Sequence, residues 1–389
     1  MIEINDKTKC TGCGACLNIC PTGAIEMRYD NDGFWYPKVA LDKCISCHLC
    51  EKVCPFNNQK YIDGKQTLKN LYYSGQLKEK EQLSTVSSGG AAWGLTMAVL
   101  DEGGIVYGVE QINIDTIRHI RVDSIEKAKQ IRRSKYFQSD TGLTFEQVKE
   151  DLEKGKTVLY SGVGCQIAGL KSYLQREYEN LLTMDVVCHG VPSKKVWESY
   201  RKYIEKNQKS RIIDLVFRDK SNGWQNNQYA ISFDNGNIIK EKSVDNPFHR
   251  GYLIGMYSRP SCGACKFNLI PRVSDFTCAD YWEYDGASFA ETRSLGVSLI
   301  CVNSEKGSKN IDLFEKYLAL EPTTEEKALQ SARHLNHSPF EHPNRDALLK
   351  EITSDNFHEL WKKYIKEKKA SLVIRVVRKV RSILSDLHK

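Results

Sequence analysis

From residue 71 onward, short apolar runs alternate with longer segments whose apolar positions recur every three or four residues. LYYSGQ, GIVYGVE, IRHIRV, VLYSG and LLTMDVV are short, rich in β-branched and aromatic residues, and bounded by turn formers, so they read as strands. AAWGLTMAVLDEG, TGLTFEQVKEDLEKG, CQIAGLKSYLQREY and PSKKVWESYRKYIEKN carry helical spacing, the last with Pro192 near its first turn. Such alternation predicts an α/β body (α+β overall) whose first sheet is mainly parallel. The rhythm changes at RIIDLVFRD. There QYAISF and IIKEK flank Asn235-Gly236, a strong hairpin turn.

The first 57 residues lack this rhythm and are organised by cysteines. Eight of the chain's 14 cysteines fall there, as CTGCGACLNICP and CISCHLCEKVCP, a repeat of C-x2-C-x2-C-x3-C-P. Three thiolates on one tight turn cover three corners of a 4Fe-4S cube, and in two-cluster ferredoxins the last Cys of each run ligates the other cluster. The spacing therefore pairs Cys10, Cys13, Cys16 and Cys54 on one cluster, and Cys44, Cys47, Cys50 and Cys20 on the other. Zinc sites favour two C-x2-C pairs with a longer spacer, and a disulfide framework needs an oxidising compartment that nothing here indicates. Residues 1–57 thus read as a bacterial-type two-cluster ferredoxin domain and 58–70 as a polar linker. Residues 71–210 and 211–360 form two lobes of one body, and 361–389 a separate tail.

The other six cysteines are scattered. Cys262 and Cys265 form a C-x2-C which, alone, suits a zinc knuckle or a redox dithiol. Cys165 and Cys188 follow expected strands, where ligands gather in α/β sheets. Cys278 and Cys301 lie inside apolar runs and read as core. Ser87, Ser88, Gly89 and Gly90 precede a helix, a place suited to a phosphate. Arg132, Arg133 and Lys135 suit a pyrophosphate or a solvated basic face. No G-x-G-x-x-G or Walker sequence occurs, and His334, His337 and His342 read as loop histidines.

Taken in order, the cysteine repeat, SSGG (87–90), SKY (134–136), SGVGCQIAGLK (161–171), DVVCHGVPS (185–193), FRD (217–219), RPSCGACKF (259–267) and SDFTCAD (274–280) resemble a known family. It is the family of coenzyme F-420 hydrogenase/dehydrogenase beta subunits, in the form fused to an N-terminal two-cluster ferredoxin, and the resemblance runs from about residue 1 to 345. It implies a two-lobed FAD-binding body and a third 4Fe-4S cluster on Cys165, Cys188, Cys262 and Cys265. It implies FAD contacts from Ser87, Ser88, Gly89, Gly90, Arg132, Ser134, Lys135 and Tyr136. His189, beside a proposed ligand, suits a hydrogen bond to flavin or substrate or a place in the core, and Asp280 and Arg259 suit the pocket or a structural ion pair. The sequence departs from many relatives in Gly-Val-Gly before Cys165 and in Cys-Ala-Asp at 278–280. The function implied is an iron–sulfur flavoprotein oxidoreductase working between a small redox substrate and an external electron carrier. A flavin-free electron-transfer subunit or an iron–sulfur scaffold is the alternative.

Charge adds one correction. Residues 361–389 hold ten Lys and Arg against two Asp and Glu, so the formal +7 belongs to the tail and the rest carries −1. A nucleic-acid-coating surface is excluded. SLVIRVVRKVRSILSDL has the spacing of a basic amphipathic helix for a membrane surface, a partner or the protein's own core. The longest uncharged apolar stretch, Ala91 to Leu100, falls far short of the roughly 20 residues that span a bilayer. With no apolar leader at MIEINDKTKC, the expected location is cytoplasmic, with peripheral contact at the inner membrane face through the tail.

Overall fold

The computed structural model describes residues 1–58 and 71–366. The two cysteine runs wind into tight turns that end in short helical segments, Ala15–Asn18 and Leu49–Lys52. Between the runs lies an antiparallel hairpin of β1 (Ile25–Tyr29) and β2 (Trp35–Val39). Gly14 adopts φ +83° as it enters the first helical segment, and a Cβ there would collide with Thr141 Oγ1 of the body. Both the conformation and the close approach require glycine.

The body's sheet comprises β3 (Leu71–Leu77), β4 (Ile105–Gln111), β5 (Ile117–Val122), β6 (Val158–Val163), β7 (Leu181–Val186), β11 (Phe276–Asp280), β12 (Ser298–Val302) and β13 (Leu318–Thr323), in the order β13-β3-β12-β11-β7-β6-β4-β5. β8 (Ile212–Asp219), β9 (Gln228–Phe233) and β10 (Ile238–Lys242) form a separate antiparallel meander, with Gly236 at φ +84° in the expected turn. The large sheet is mixed rather than mainly parallel. β4, β6, β7 and β11 run parallel, while β5, β12, β3 and β13 join antiparallel. The division at residue 210 also differs, because β11, β12 and β13 return to the sheet begun by β3.

Four helices matter for the site: α1 (Ala91–Asp101), α2 (Thr144–Glu153), α3 (Gly164–Leu174) and α4 (Lys194–Gln208). α1 and the sheet enclose Leu95, Val99, Val106, Leu159, Met184 and Ile300. A second core joins α4 to the meander through Trp197, Tyr200, Phe217, Tyr229 and Phe248, and it includes Phe34 and Tyr36 from the β1–β2 hairpin. Burying Phe34 stabilises this docking by roughly 1.5–3 kcal/mol. Ser193 accepts from Val196 N at 3.3 Å as the cap of α4 and donates to Asp32 O at 2.6 Å. Lys194 N donates to Gly33 O at 3.1 Å. The cysteine-rich module is therefore packed into the body rather than tethered beside it.

Cys278 and Cys301 lie buried in the neighbouring strands β11 and β12. Among the described residues, no helix is long and apolar enough to cross a membrane. Most of the expected linker, and the tail from residue 367, lie outside the described residues.

Candidate functional site

Cys10, Cys13, Cys16 and Cys54 line one small cavity of the N-terminal module, and Cys20, Cys44, Cys47 and Cys50 line another. Main-chain amides point at these sulfurs: Ala24 N donates to Cys20 Sγ and Ile2 N to Cys50 Sγ, both at 3.3 Å. Burial, with the nearby Cys54 and Cys10, pushes the Cys13 thiol up to about 12. The first cavity faces the body. A Cβ on Gly169 of α3 would stand 2.9 Å from Cys13 Sγ.

One turn earlier on α3, Cys165 belongs to a third group. It begins the helix after β6, Cys188 follows β7, Cys262 sits in the turn Pro260–Gly263, and Cys265 comes just after. Burial raises the Cys165 thiol well above its usual range, and the other three cysteines add to the rise. Burial likewise pushes Cys188 up to about 11 and Cys262 up to about 12. Gly190, at φ +102°, passes so close that a Cβ would lie 3.2 Å from Cys262 Cβ. Gly190 N and Phe267 N donate to Cys188 Sγ and Cys265 Sγ at 3.3 and 3.4 Å.

A buried ion pair ties β7, which leads to Cys188, to the segment that follows Cys265. Arg272 binds Asp185 Oδ2, its Nε at 3.1 Å, while Ser274 and Thr277 donate to Asp185 Oδ1 at 2.8 and 2.6 Å. Asn268 Nδ2 donates to Cys188 O at 2.7 Å. Sequence reasoning passed over Asp185, Arg272 and Asn268. The one signal on offer was an acid placed inside the apolar run LLTMDVV. Among the described residues, no group of three or more His, Cys, Asp or Glu gathers tightly enough to grip a single metal ion.

A cavity of about 300 Å³ opens between β4, the segment 130–135 and β8, lined by Arg132, Arg133, Ser134, Lys135, Phe217 and Arg218. Burial lowers Lys135 to about 7, partly offset by Glu110. Arg132 stacks on Trp93 at 3.8 Å, and its buried Nε has no hydrogen-bond partner. Ser134 and Ser87 share a hydrogen bond of 2.8 Å.

The SSGG segment departs from the phosphate cradle expected of it. Gly89 N and Ala91 N donate to Ser298 Oγ at 3.0 and 3.3 Å, and Gly90 N donates to Ser87 O. Ser88 Oγ donates to Val297 O at 2.7 Å. These groups are engaged within the fold, and the cavity is lined instead by Arg132, Arg133, Lys135 and Arg218. Tyr136 packs edge-on to His249 and Tyr252, and Tyr252 OH reaches Gly190 O at 3.1 Å. The Tyr136–Tyr252 pair links the SKY segment to the cysteine loop.

The C-terminal profile of coenzyme F-420 hydrogenase/dehydrogenase beta subunits matches residues 155–326, and that of the 4Fe-4S dicluster domain matches 9–58. The chain thus joins a segment matching a 4Fe-4S dicluster domain to one similar to the C-terminal part of F-420 hydrogenase/dehydrogenase beta subunits. One of the subunits of the F(420)H(2) dehydrogenase of Methanosarcina mazei is 26% identical over 280 residues, covering 68% of this chain and 73% of that one. An uncharacterized ferredoxin of Methanocaldococcus jannaschii is 37% identical over 54 residues, 14% of this chain and 69% of its own. A chain from the xenon-derivatised F-420-reducing nickel–iron hydrogenase complex of Methanosarcina barkeri aligns with a TM-score of 0.42 at 17% identity, covering 76% of this chain and 91% of that one.

The three candidates for chemistry occupy different surroundings. Asp280 pairs with Arg218, Oδ1 lying 3.0 Å from Nη2, and accepts from Trp224 Nε1 at 2.7 Å. His189 Nε2 lies 2.9 Å from Leu253 O and its ring 4.5 Å from that of His334. Burial and His334 hold His189 down to about 4, so it stays neutral at physiological pH. Arg259 lies away from the cavity. Its guanidinium is buried against the N-terminal module.

Proposed function

We propose that this chain is an iron–sulfur flavoprotein oxidoreductase that moves electrons between a small organic or hydride-type substrate and an external electron carrier. The observation that carries this reading is α3. Cys165 occupies its first turn and Gly169, four residues on, abuts Cys13, so the two cysteine groups are separated by about 6 Å of helix rise. A spacing this short serves electron exchange.

In this reading Cys10, Cys13, Cys16 and Cys54 hold one 4Fe-4S cluster, Cys20, Cys44, Cys47 and Cys50 a second, and Cys165, Cys188, Cys262 and Cys265 a third. FAD, when bound, supplies the conversion between hydride and single-electron chemistry. The unpartnered Nε of Arg132 fits an anion, and Arg132, Lys135 and Arg218 would hold the pyrophosphate. Asp280 keeps Arg218 in place, and Tyr136 with Tyr252 keeps water from the path toward Cys188. Cys47 is exposed, which makes the second quartet the side open to a redox partner.

Anaerobic purification of the full chain tests the reading. About 12 iron atoms per chain with one releasable FAD are expected. About 8 iron atoms and no flavin would overturn the third cluster and the flavin site together. Peripheral membrane contact through the basic tail is tested separately, by co-sedimentation with anionic liposomes. Deleting residues 370–389 should abolish it, and binding that survives the deletion would remove that role.

A further inference from the structure

Arg259 spans two cysteine groups. Its main chain belongs to the third group: Arg259 N donates to Val191 O at 2.9 Å, and Arg259 O accepts from Cys262 N at 2.9 Å, opening the turn that carries Cys262. Its side chain is spent on the N-terminal module. Nε donates to Cys10 O at 2.8 Å and Nη2 to Trp35 O at 2.6 Å, with Nη2 also 3.7 Å from Cys10 Sγ. Nη1 donates to Gln138 Oε1 at 3.1 Å, and the guanidinium lies 4.3 Å from the centre of the Tyr36 ring. Gly12 gives it room, since a Cβ there would come within 3.2 Å of Nη1.

Each of these acceptors is a neutral oxygen or a cysteine sulfur. A fully buried cation without a carboxylate is costly, and its compensation must come from negative charge close by. A cube held by four thiolates carries such charge, and gains more when it is reduced. Lysine would not fill the place, because the planar fork reaches two main-chain oxygens and the sulfur at once.

We propose that Arg259 is a positioning residue that raises the reduction potential of the cluster bearing Cys10 and fixes its distance from the Cys262 limb. The inference rests on assigning Cys10 to a cluster, as in the proposed function, and is independent of the flavin and of the third cluster.

The test is a dithionite titration of the anaerobically purified full chain, each cluster followed by its electron paramagnetic resonance signal. In Arg259→Met, the ratio of reduced to oxidised Cys10 cluster at a fixed potential should fall about tenfold, equivalent to about 59 mV for a one-electron couple. The second N-terminal cluster should not move. Arg259→Lys should recover part of the shift. Gln138→Glu, which sets a carboxylate beside the intact guanidinium, should lower the same potential; it decides the matter if Arg259→Met loses iron. Unchanged potentials in Gln138→Glu, or equal shifts of both N-terminal clusters, would overturn the proposal. Failure of the functional reading shows up separately, as missing flavin or iron in the wild-type chain.

Discussion

Gly169 lies so near Cys13 that a single added methyl would stand 2.9 Å from the sulfur and 3.0 Å from its Cβ. A glycine inside a helix ordinarily costs about 1 kcal/mol relative to alanine. Here that cost is offset by letting an iron-binding loop touch α3. Gly169→Ala should therefore fail to stabilise the protein. Overpacking costs of roughly 1–3 kcal/mol outweigh the gain in helix propensity, and a net loss of about 1 kcal/mol is expected. Urea unfolding of the holoprotein measures it. A gain of the full propensity difference would show that the contact is loose.

Cysteine replacements should fall into two classes. Cys165→Ser and Cys188→Ser should each lower iron content by about four atoms per chain while the N-terminal clusters keep their signals. Cys278→Ala and Cys301→Ala should leave iron unchanged and cost about 1 kcal/mol each, as small cavities in buried strands do. Iron analysis alongside thermal unfolding separates the classes. Iron loss from either strand variant would contradict the division.

Asp280 and Arg218 are both mostly buried and hydrogen-bonded to each other. Removing one partner strands the other charge, so Asp280→Asn should cost about 3–5 kcal/mol. The double variant Asp280→Asn with Arg218→Met should cost less than the sum of the single changes. Additive losses in denaturant titrations would mean that the two residues act independently.

Lys135 lines the cationic cavity, and burial lowers it to about 7. It is charged below that pH and neutral above it, so an anionic ligand gains most on the acid side. FAD affinity should fall roughly tenfold between about pH 6 and pH 8.5, about the 1.4 kcal/mol of one charge-assisted hydrogen bond. Lys135→Met should bind weakly at both values. Equilibrium dialysis against FAD gives the comparison, and a wild-type affinity that does not change with pH would argue against a role for this ammonium.

Local features of the fold were readable in advance, and distant ones were not. IRHIRV and the Asn235-Gly236 hairpin lie where their patterns place them, because period and turn chemistry act over a few residues. Within each N-terminal run the first three cysteines gather for the same reason. Sheet order was hidden: β3 pairs with β12, more than 200 residues away, and nothing in LYYSGQ specifies that partner. The engagement of the SSGG amides was hidden likewise, since it depends on Ser298 in a remote strand. From the sequence alone Arg259 suits a pocket or a structural ion pair. Only the docked hairpin, with Trp35 and Tyr36 at hand, reveals where its charge is spent.

The seating of β3 also bears on synthesis. This strand is the first of the body to leave the ribosome, yet both of its sheet neighbours, β12 and β13, are made more than 200 residues later. A nascent chain can complete both N-terminal cysteine runs by residue 54, long before the sheet can close. Closure must wait for sequence-distant pairing, which is slow because loop entropy is lost before contacts form. The order of the strands thus separates completion of the cysteine runs from closure of the sheet. The earliest strand waits for the latest.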